Sequence, residues 1–339
     1  MMAVKTYMRT EIEEIPQAVA RFLDQSDQSL SNIGQDLRRR SPSFIATVAR
    51  GSSAHAATYL NYALELTTGL AVAPIGPSIA SIYGTRLRLK NAACFIVSQS
   101  GKSPDIIALA NNAATQGAVT VALTNAASSP LAAICDYPID IMAGPELSVA
   151  ATKTFVNSIV AGLALMAYAT RNKALLGALK NLPPQLEQAL SCDWSALSSA
   201  FEDQNSLYIL GRGPSSAMAN EAALKLKETC SIHAEAYSAA EVMHGPMALV
   251  GPGFPILALA ARDAAEPSLT QIADAMREKQ AAVFATSDRV TRAARLPFVT
   301  TDHPLPLIVS FYAFVEAFAR HKGHNPDQPR HLNKVTETV

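Results

Sequence analysis

Ala93-Cys94-Phe95-Ile96-Val97-Ser98-Gln99-Ser100-Gly101-Lys102-Ser103-Pro104-Asp105 runs from a continuous apolar stretch through a serine-rich turn into a helix start. A stretch that is apolar at every position, rather than at alternate ones, marks a strand covered on both faces. Gly101 permits a tight turn. Ser103 then stands where a helix is capped, and Pro104 in its first turn, where a missing N–H costs nothing. Strand, turn and helix in that order are the repeating unit of a parallel α/β sheet.

Working outward, the same unit recurs. Phe44-Ile45-Ala46-Thr47-Val48-Ala49 ends in Arg50-Gly51-Ser52-Ser53, and the apolar run 118–123 ends in Thr124-Asn125. The alanine-rich segment 105–116 between them has helical length. Downstream, Leu207-Tyr208-Ile209-Leu210 leads into Gly211-Arg212-Gly213, residues 254–260 form another apolar run, and Ala281-Ala282-Val283-Phe284-Ala285 ends in Thr286-Ser287. Gly51 and Gly213 are 162 residues apart, and so are Thr124 and Thr286. Two landmarks at one spacing indicate a duplicated domain. The seam is expected within residues 178–205, where Pro183-Pro184 and polar residues interrupt the apolar pattern. Ahead of the first strand, residues 10–40 read as a polar helical segment, with Glu11, Glu13 and Glu14 favourably placed near its start.

Composition narrows the function. Of 339 residues, 49% are hydrophobic and 17% charged, which excludes a disordered chain and leaves room for about two domains. Twenty-eight basic residues balance 28 acidic ones, and the one basic run, Arg38-Arg39-Arg40, is short. A nucleic-acid partner is therefore not expected. Cys94, Cys135, Cys192 and Cys230 form no C-x-x-C pair, which argues against a zinc or redox motif. With no signal-peptide pattern at the N-terminus, four reduced thiols in a cytoplasmic protein are expected. The apolar stretch 155–169 includes Asn157 and Ser158 and is short for a bilayer, so it reads as a buried helix and no membrane partner is expected.

The serine turn carries the first chemical signal. N–H groups and the hydroxyls of Ser98, Ser100 and Ser103 converging at a helix start would hold an anion, phosphate above all. An ordinary serine-rich turn is about as good a reading of the motif alone. The second half, however, has Ala258-Leu259-Ala260-Ala261-Arg262-Asp263 at the equivalent place. A requirement of the fold would appear in both copies, so its absence from one favours function. The motif lacks the glycine spacing of a Walker loop, and Gly211-x-Gly213 lacks the third glycine of a dinucleotide fingerprint. The Gly-Ser-Ser turn gains interest from position, since parallel sheets bind ligands at the carboxyl ends of their strands. In the second half, Glu221, Lys225 and Glu228 lie at helical spacing, which a surface helix with ion pairs would also produce. His233-x-Glu235, Glu241 and His244 follow, with no third ligand spaced convincingly for a metal.

Several segments together resemble the sugar-isomerase (SIS) domain family. They are Ser98-Gln99-Ser100-Gly101, Glu146-Leu147-Ser148-Val149-Ala150-Ala151-Thr152-Lys153, Ala223-Leu224-Lys225-Leu226-Lys227-Glu228, Ile232-His233-Ala234-Glu235-Ala236-Tyr237, His244-Gly245-Pro246 and Pro329-Arg330-x-Leu332-x-Lys334. The likeness covers essentially the whole chain in order and is greatest to the isomerase half of glucosamine-fructose-6-phosphate aminotransferase. It implies an α/β fold of two tandem SIS domains, each a five-stranded parallel sheet between helices. The expected division is a helical segment 1–40, a first domain 41–180, a second domain 200–325 and a tail 326–339 closing the active site.

The resemblance also implies roles. Ser98, Gln99, Ser100 and Ser103 match the sugar-phosphate cradle, Ser52 and Ser53 the turn that contacts the sugar, and Val149 the pocket lining; Lys225 is expected among the substrate contacts. Glu228 matches the carboxylate that moves a proton between C1 and C2. His244 matches the ring-opening histidine, which reaches the site from a neighbouring subunit, so a homodimer with shared sites is implied. Lys334 matches the tail lysine near the open-chain carbonyl. No metal or organic cofactor is implied. Ala151 stands where a serine is common, and Asn333 where a small residue is.

The family's aminotransferase begins with a glutaminase domain whose N-terminal cysteine releases ammonia. This chain has no cysteine before Cys94. The expected direction is therefore the reverse one: glucosamine 6-phosphate plus water giving fructose 6-phosphate plus ammonia. A fructosamine-6-phosphate deglycase, an isomerase without deamination, and a sugar-phosphate sensor are the alternatives.

Overall fold

The computed structural model describes residues 5–334. Its helices in chain order are α1 (Tyr7–Glu13), α2 (Ile15–Arg40), α3 (Gly51–Thr68), α4 (Ser78–Ser81), α5 (Pro104–Thr115), α6 (Pro130–Ile134), α7 (Lys153–Thr170), α8 (Lys173–Lys180), α9 (Leu182–Leu190), α10 (Ala196–Phe201), α11 (Ser215–Cys230), α12 (Glu266–Glu278) and α13 (Leu305–His321). The strands are β1 (Phe44–Ala49), β2 (Val72–Pro74), β3 (Ala92–Val97), β4 (Val119–Thr124), β5 (Tyr137–Asp140), β6 (Ser206–Gly211), β7 (His233–Ser238), β8 (Pro255–Ala258), β9 (Ala282–Ala285) and β10 (Ala294–Arg295). They form two five-stranded sheets, ordered β2-β1-β3-β4-β5 and β10-β9-β8-β6-β7, parallel throughout. Read from the other edge, the second order is β7-β6-β8-β9-β10, so the two sheets share one topology. The duplication seen at spacing 162 is a duplicated α/β fold.

The chain divides into two compact units. One comprises Glu14–Glu146, Lys153–Pro183, Asn333 and Lys334; the other comprises residues 5–13, Leu147–Thr152 and Pro184–Leu332. In the first, β3 and β4 are buried at every position, as continuous apolar runs predict. Cys94 and Ile96 share a core with Ile106 and Leu109 of α5. Helix α7 is the expected buried helix, with every residue from Lys153 to Ala167 inside, and it packs against α2 and α3. Gly34 of α2 makes the α2–α7 approach possible: a Cβ there would lie 2.8 Å from the Ala169 nitrogen. In the second unit, Tyr208, Ile256 and Val283 of the sheet pack with Leu269 and Met276 of α12.

Two local expectations need correction. The segment 10–40 is not one helix: it breaks at Glu14, between α1 and α2. Its acidic residues do not serve the helix start, since neither helix has an acid in its first turn. Glu11 instead accepts the backbone N–H groups of Leu147 and Ser148. Pro183 and Pro184 lie at the start of α9, where proline is tolerated, and the boundary between the two units falls between them, inside the expected seam. The four cysteines are free, as expected, and burial pushes the Cys94 thiol up to about 12. Among the described residues no helix is long and apolar enough to cross a membrane.

Candidate active site

Strand order places the first candidate. In the sheet β2-β1-β3-β4-β5 the chain builds outward to β2 and then returns across β1 to β3, so the order reverses between β1 and β3. The crevice beyond the carboxyl ends of strands at such a switch point is where open α/β sheets bind ligands. Both serine motifs are there. Ala49 pairs with Val97, the last residues of the two strands, so Arg50-Gly51-Ser52-Ser53 and Ser98 to Ser103 leave the sheet side by side. Ser52 and Ser53 lie in the first turn of α3 rather than in a free turn ahead of it.

The turn after β3 is pinned from several sides. Gly101 has φ +60°, and a Cβ there would lie 2.1 Å from the Ser129 Oγ, so this position requires glycine twice over. The Gly101 N–H donates to the Ser98 Oγ at 3.2 Å and the Lys102 N–H to the Ser100 Oγ at 3.3 Å. Thr124, at the end of β4, donates its hydroxyl to the Gln99 carbonyl at 3.3 Å. Ser103 occupies the N-cap position of α5 with extended backbone, yet its side chain makes no capping bond. The sequence predicts the cap; the structure leaves that hydroxyl for another partner. Arg50 forms an ion pair with Asp105, whose side chain is fully buried in the first turn of α5.

The same unit holds Lys334. Its ammonium lies 2.9 Å from the Glu146 Oε2. Glu146 also accepts from the Thr154 N–H at 3.1 Å and the Thr154 hydroxyl at 2.7 Å, which ties it to the first turn of α7. The side chain of Glu146 is fully buried, a setting in which a carboxylate needs such donors. Spacing along the sequence gives no hint of this role, since the lysine stands 188 residues away.

In the other unit, α11 sets Glu221, Lys225 and Glu228 on one face. This is not the surface helix that composition also allowed. Lys225 is fully buried, 3.3 Å from Glu221 and 2.5 Å from Glu228, and Glu221 accepts the Tyr312 hydroxyl of α13 at 3.1 Å. Burial alone would lower the Lys225 pKa, but Glu221 and Glu228 together outweigh it and hold the ammonium above its ordinary value. Lys225, expected among the substrate contacts, thus spends its charge on two carboxylates. Glu228 keeps 17% of its side chain exposed, so one member of the row can reach a ligand. Val149 donates its N–H to the Asp327 carbonyl at 3.2 Å, tying its backbone to the start of the tail. His244 is exposed between two short 3-10 turns, and its imidazole makes no hydrogen bond among the described residues.

His233 and Glu235 belong to β7, an edge strand. Among the described residues there is no group of three or more metal-ligating side chains.

Residues 40–168 and 200–300 match the SIS domain, and the chain belongs to that family. The glutamine–fructose-6-phosphate aminotransferase of Sulfolobus acidocaldarius is 31% identical over 342 residues, covering 97% of this chain and 56% of that protein. The chain thus spans about half the length of the curated relatives it matches. A solved structure from Silicibacter pomeroyi, provisionally named a phosphosugar isomerase, is 57% identical with TM-score 0.92, covering 95% of this chain and 100% of that one. Glucosamine-6-phosphate deaminase from Thermotoga maritima shares the fold, with TM-score 0.78 at 18% identity over 98% of this chain and 100% of its own.

Proposed function

We propose that this chain is a phosphosugar isomerase whose reaction ends in loss of ammonia: glucosamine 6-phosphate plus water gives fructose 6-phosphate plus ammonia. The observation that carries the reading is the serine turn at the β1/β3 switch point, with the Ser103 hydroxyl unspent on its own helix. Ser98, Gln99, Ser100 and Ser103 hold the phosphate, and Ser52, Ser53 and the Val149 backbone hold the sugar. Glu228 takes the C2 proton of the opened aminosugar and returns it at C1. A carboxylate suits the step because it accepts a proton as an anion and gives it back as an acid, a contribution of about 10²–10⁴-fold. The resulting ketimine adds water at C2 and expels ammonia. Lys334 places a cation near the carbonyl, where enolate-like charge develops. His244 opens the ring in a partner subunit's site; its exposure, together with that of Met243 and Leu249 in the same loop, supports a surface that meets another copy.

The test is product analysis. Glucosamine 6-phosphate should yield fructose 6-phosphate and ammonia in equal amounts, undiminished by a chelator. Release of a free amine from a fructosamine 6-phosphate, with glucosamine 6-phosphate inert, would replace the reading by a deglycase. Isomerisation of glucose 6-phosphate with no ammonia from any aminosugar phosphate would replace it by a plain isomerase.

A further inference from the structure

The phosphate cradle as the sequence defines it consists of neutral hydroxyls and backbone donors. Two of those donors, the N–H groups of Gly101 and Lys102, are already engaged by the Ser98 and Ser100 oxygens. A sugar phosphate carries close to two negative charges at neutral pH, so hydroxyls alone leave most of that charge without a counterpart. Two cations stand on the two turns. Lys102 is exposed, on a long flexible stem. Arg50 is different. It follows the last residue of β1, in register with the end of β3, and its Nε is bound to the fully buried carboxylate of Asp105. The ion pair therefore spans the switch point and fixes the guanidinium beside the serine turn.

We propose that Arg50 is a phosphate-binding residue of this crevice, its guanidinium held by Asp105 so that its remaining N–H donors meet the phosphate oxygens. The inference rests on the phosphosugar reading above. Arginine suits the task because its fork can bond a carboxylate on one edge and a phosphate on the other. About 45% of the Arg50 side chain is exposed, which leaves an edge for a ligand. The second copy supplies a contrast. At spacing 162 Arg212 matches Arg50 and Pro267 matches Asp105, and no ion pair of Arg212 occurs among the described residues. An arginine anchored at the end of the first strand and the serine turn thus occur together in the first copy only; the buried acid in the first turn of α12, Glu266, pairs instead with Arg289 after β9.

Inorganic phosphate and the unreactive open-chain analogue glucitol 6-phosphate are the probes, titrated into the full chain. Arg50→Gln should weaken both by about 10- to 100-fold, the loss of one or more bonds to a charged group, and flatten the dependence of phosphate affinity on ionic strength. KM for the sugar phosphate should rise by a similar factor while kcat at saturation stays within about threefold. A second measurement uses the unaltered protein: phosphate should protect Arg50 from an arginine-specific dicarbonyl reagent, as read by mass spectrometry. Should Arg50→Gln fail to fold, this protection decides the matter. Phosphate binding to the wild type with Arg50 unprotected, or a folded Arg50→Gln that binds within about twofold of wild type, would make Arg50 a strap between two turns and overturn the inference. A wild type that binds neither probe would instead sink the phosphosugar reading itself.

Discussion

Lys225 shows what a buried charge demands of its neighbours. Taking an ammonium out of water costs several kcal/mol unless oppositely charged and hydrogen-bonding partners replace the solvent. Here Glu221 and Glu228 stand one helical turn to either side, and the Tyr312 hydroxyl satisfies Glu221 from α13. Glu228 is consequently held by its own helix rather than by a mobile loop, and its partly exposed carboxylate has little freedom to wander. A proton-transfer group gains from such restraint, because misplacement by about 1 Å can cost on the order of 10²-fold. Glu228→Gln preserves shape and can still accept the Lys225 ammonium through its amide oxygen, but it cannot take a proton from carbon. Turnover of glucosamine 6-phosphate should fall by about 10²–10⁴-fold while glucitol 6-phosphate binds nearly as before. A parallel loss of analogue affinity would assign Glu228 to ground-state binding instead.

Helix α2 is fixed by a residue with no side chain. Gly34 faces the backbone of Tyr168 and Ala169 on α7, where even a methyl group would come within 2.8–2.9 Å of main-chain atoms. Backbone cannot step aside as a flexible side chain can, so Gly34→Ala should force the helices apart at a cost of about 1–3 kcal/mol. A melting midpoint lowered by several degrees, with activity preserved below it, is the expected result; an unchanged midpoint would show the contact to be looser than drawn. Elements of this kind were unevenly legible in the sequence. The central strands β1, β3, β4, β6, β8 and β9 declared themselves, because a strand covered on both faces must be apolar throughout. The edge strands β2, β5, β7 and β10 did not. Val72-Ala73-Pro74 is three residues long and ends in proline, and His233 to Ser238 alternates polar residues that read as chemistry. An edge strand is defined by the neighbour it pairs with, and that neighbour lies elsewhere in the chain. The break at Glu14 escaped for a similar reason, since Glu11 answers to the backbone at Leu147 and Ser148.

Across the whole molecule, the candidate residues divide by sequence distance. The serine turn was readable because strand, turn and cap are consecutive, and the row on α11 because helical periodicity brings residues three and four apart together. The pairs Arg50–Asp105 and Glu146–Lys334 were not, standing 55 and 188 residues apart and joined only once the sheet has formed. A further separation follows from the proposed function, in which His244 serves the site of a second copy. Such an arrangement has a consequence that no single-chain site can imitate. A Glu228→Gln chain keeps a sound His244, and a His244→Ala chain keeps a sound Glu228. When the two inactive proteins exchange subunits, each mixed dimer gains one site that receives His244 from the first chain and Glu228 from the second. Random exchange at equal amounts makes half the dimers mixed, with one complete site in two, so about a quarter of wild-type activity should return. The control is a pair of tagged chains, which demonstrates exchange by co-purification. Exchange without recovery of ammonia release would mean that each chain completes its own site, and the shared-site reading would fall.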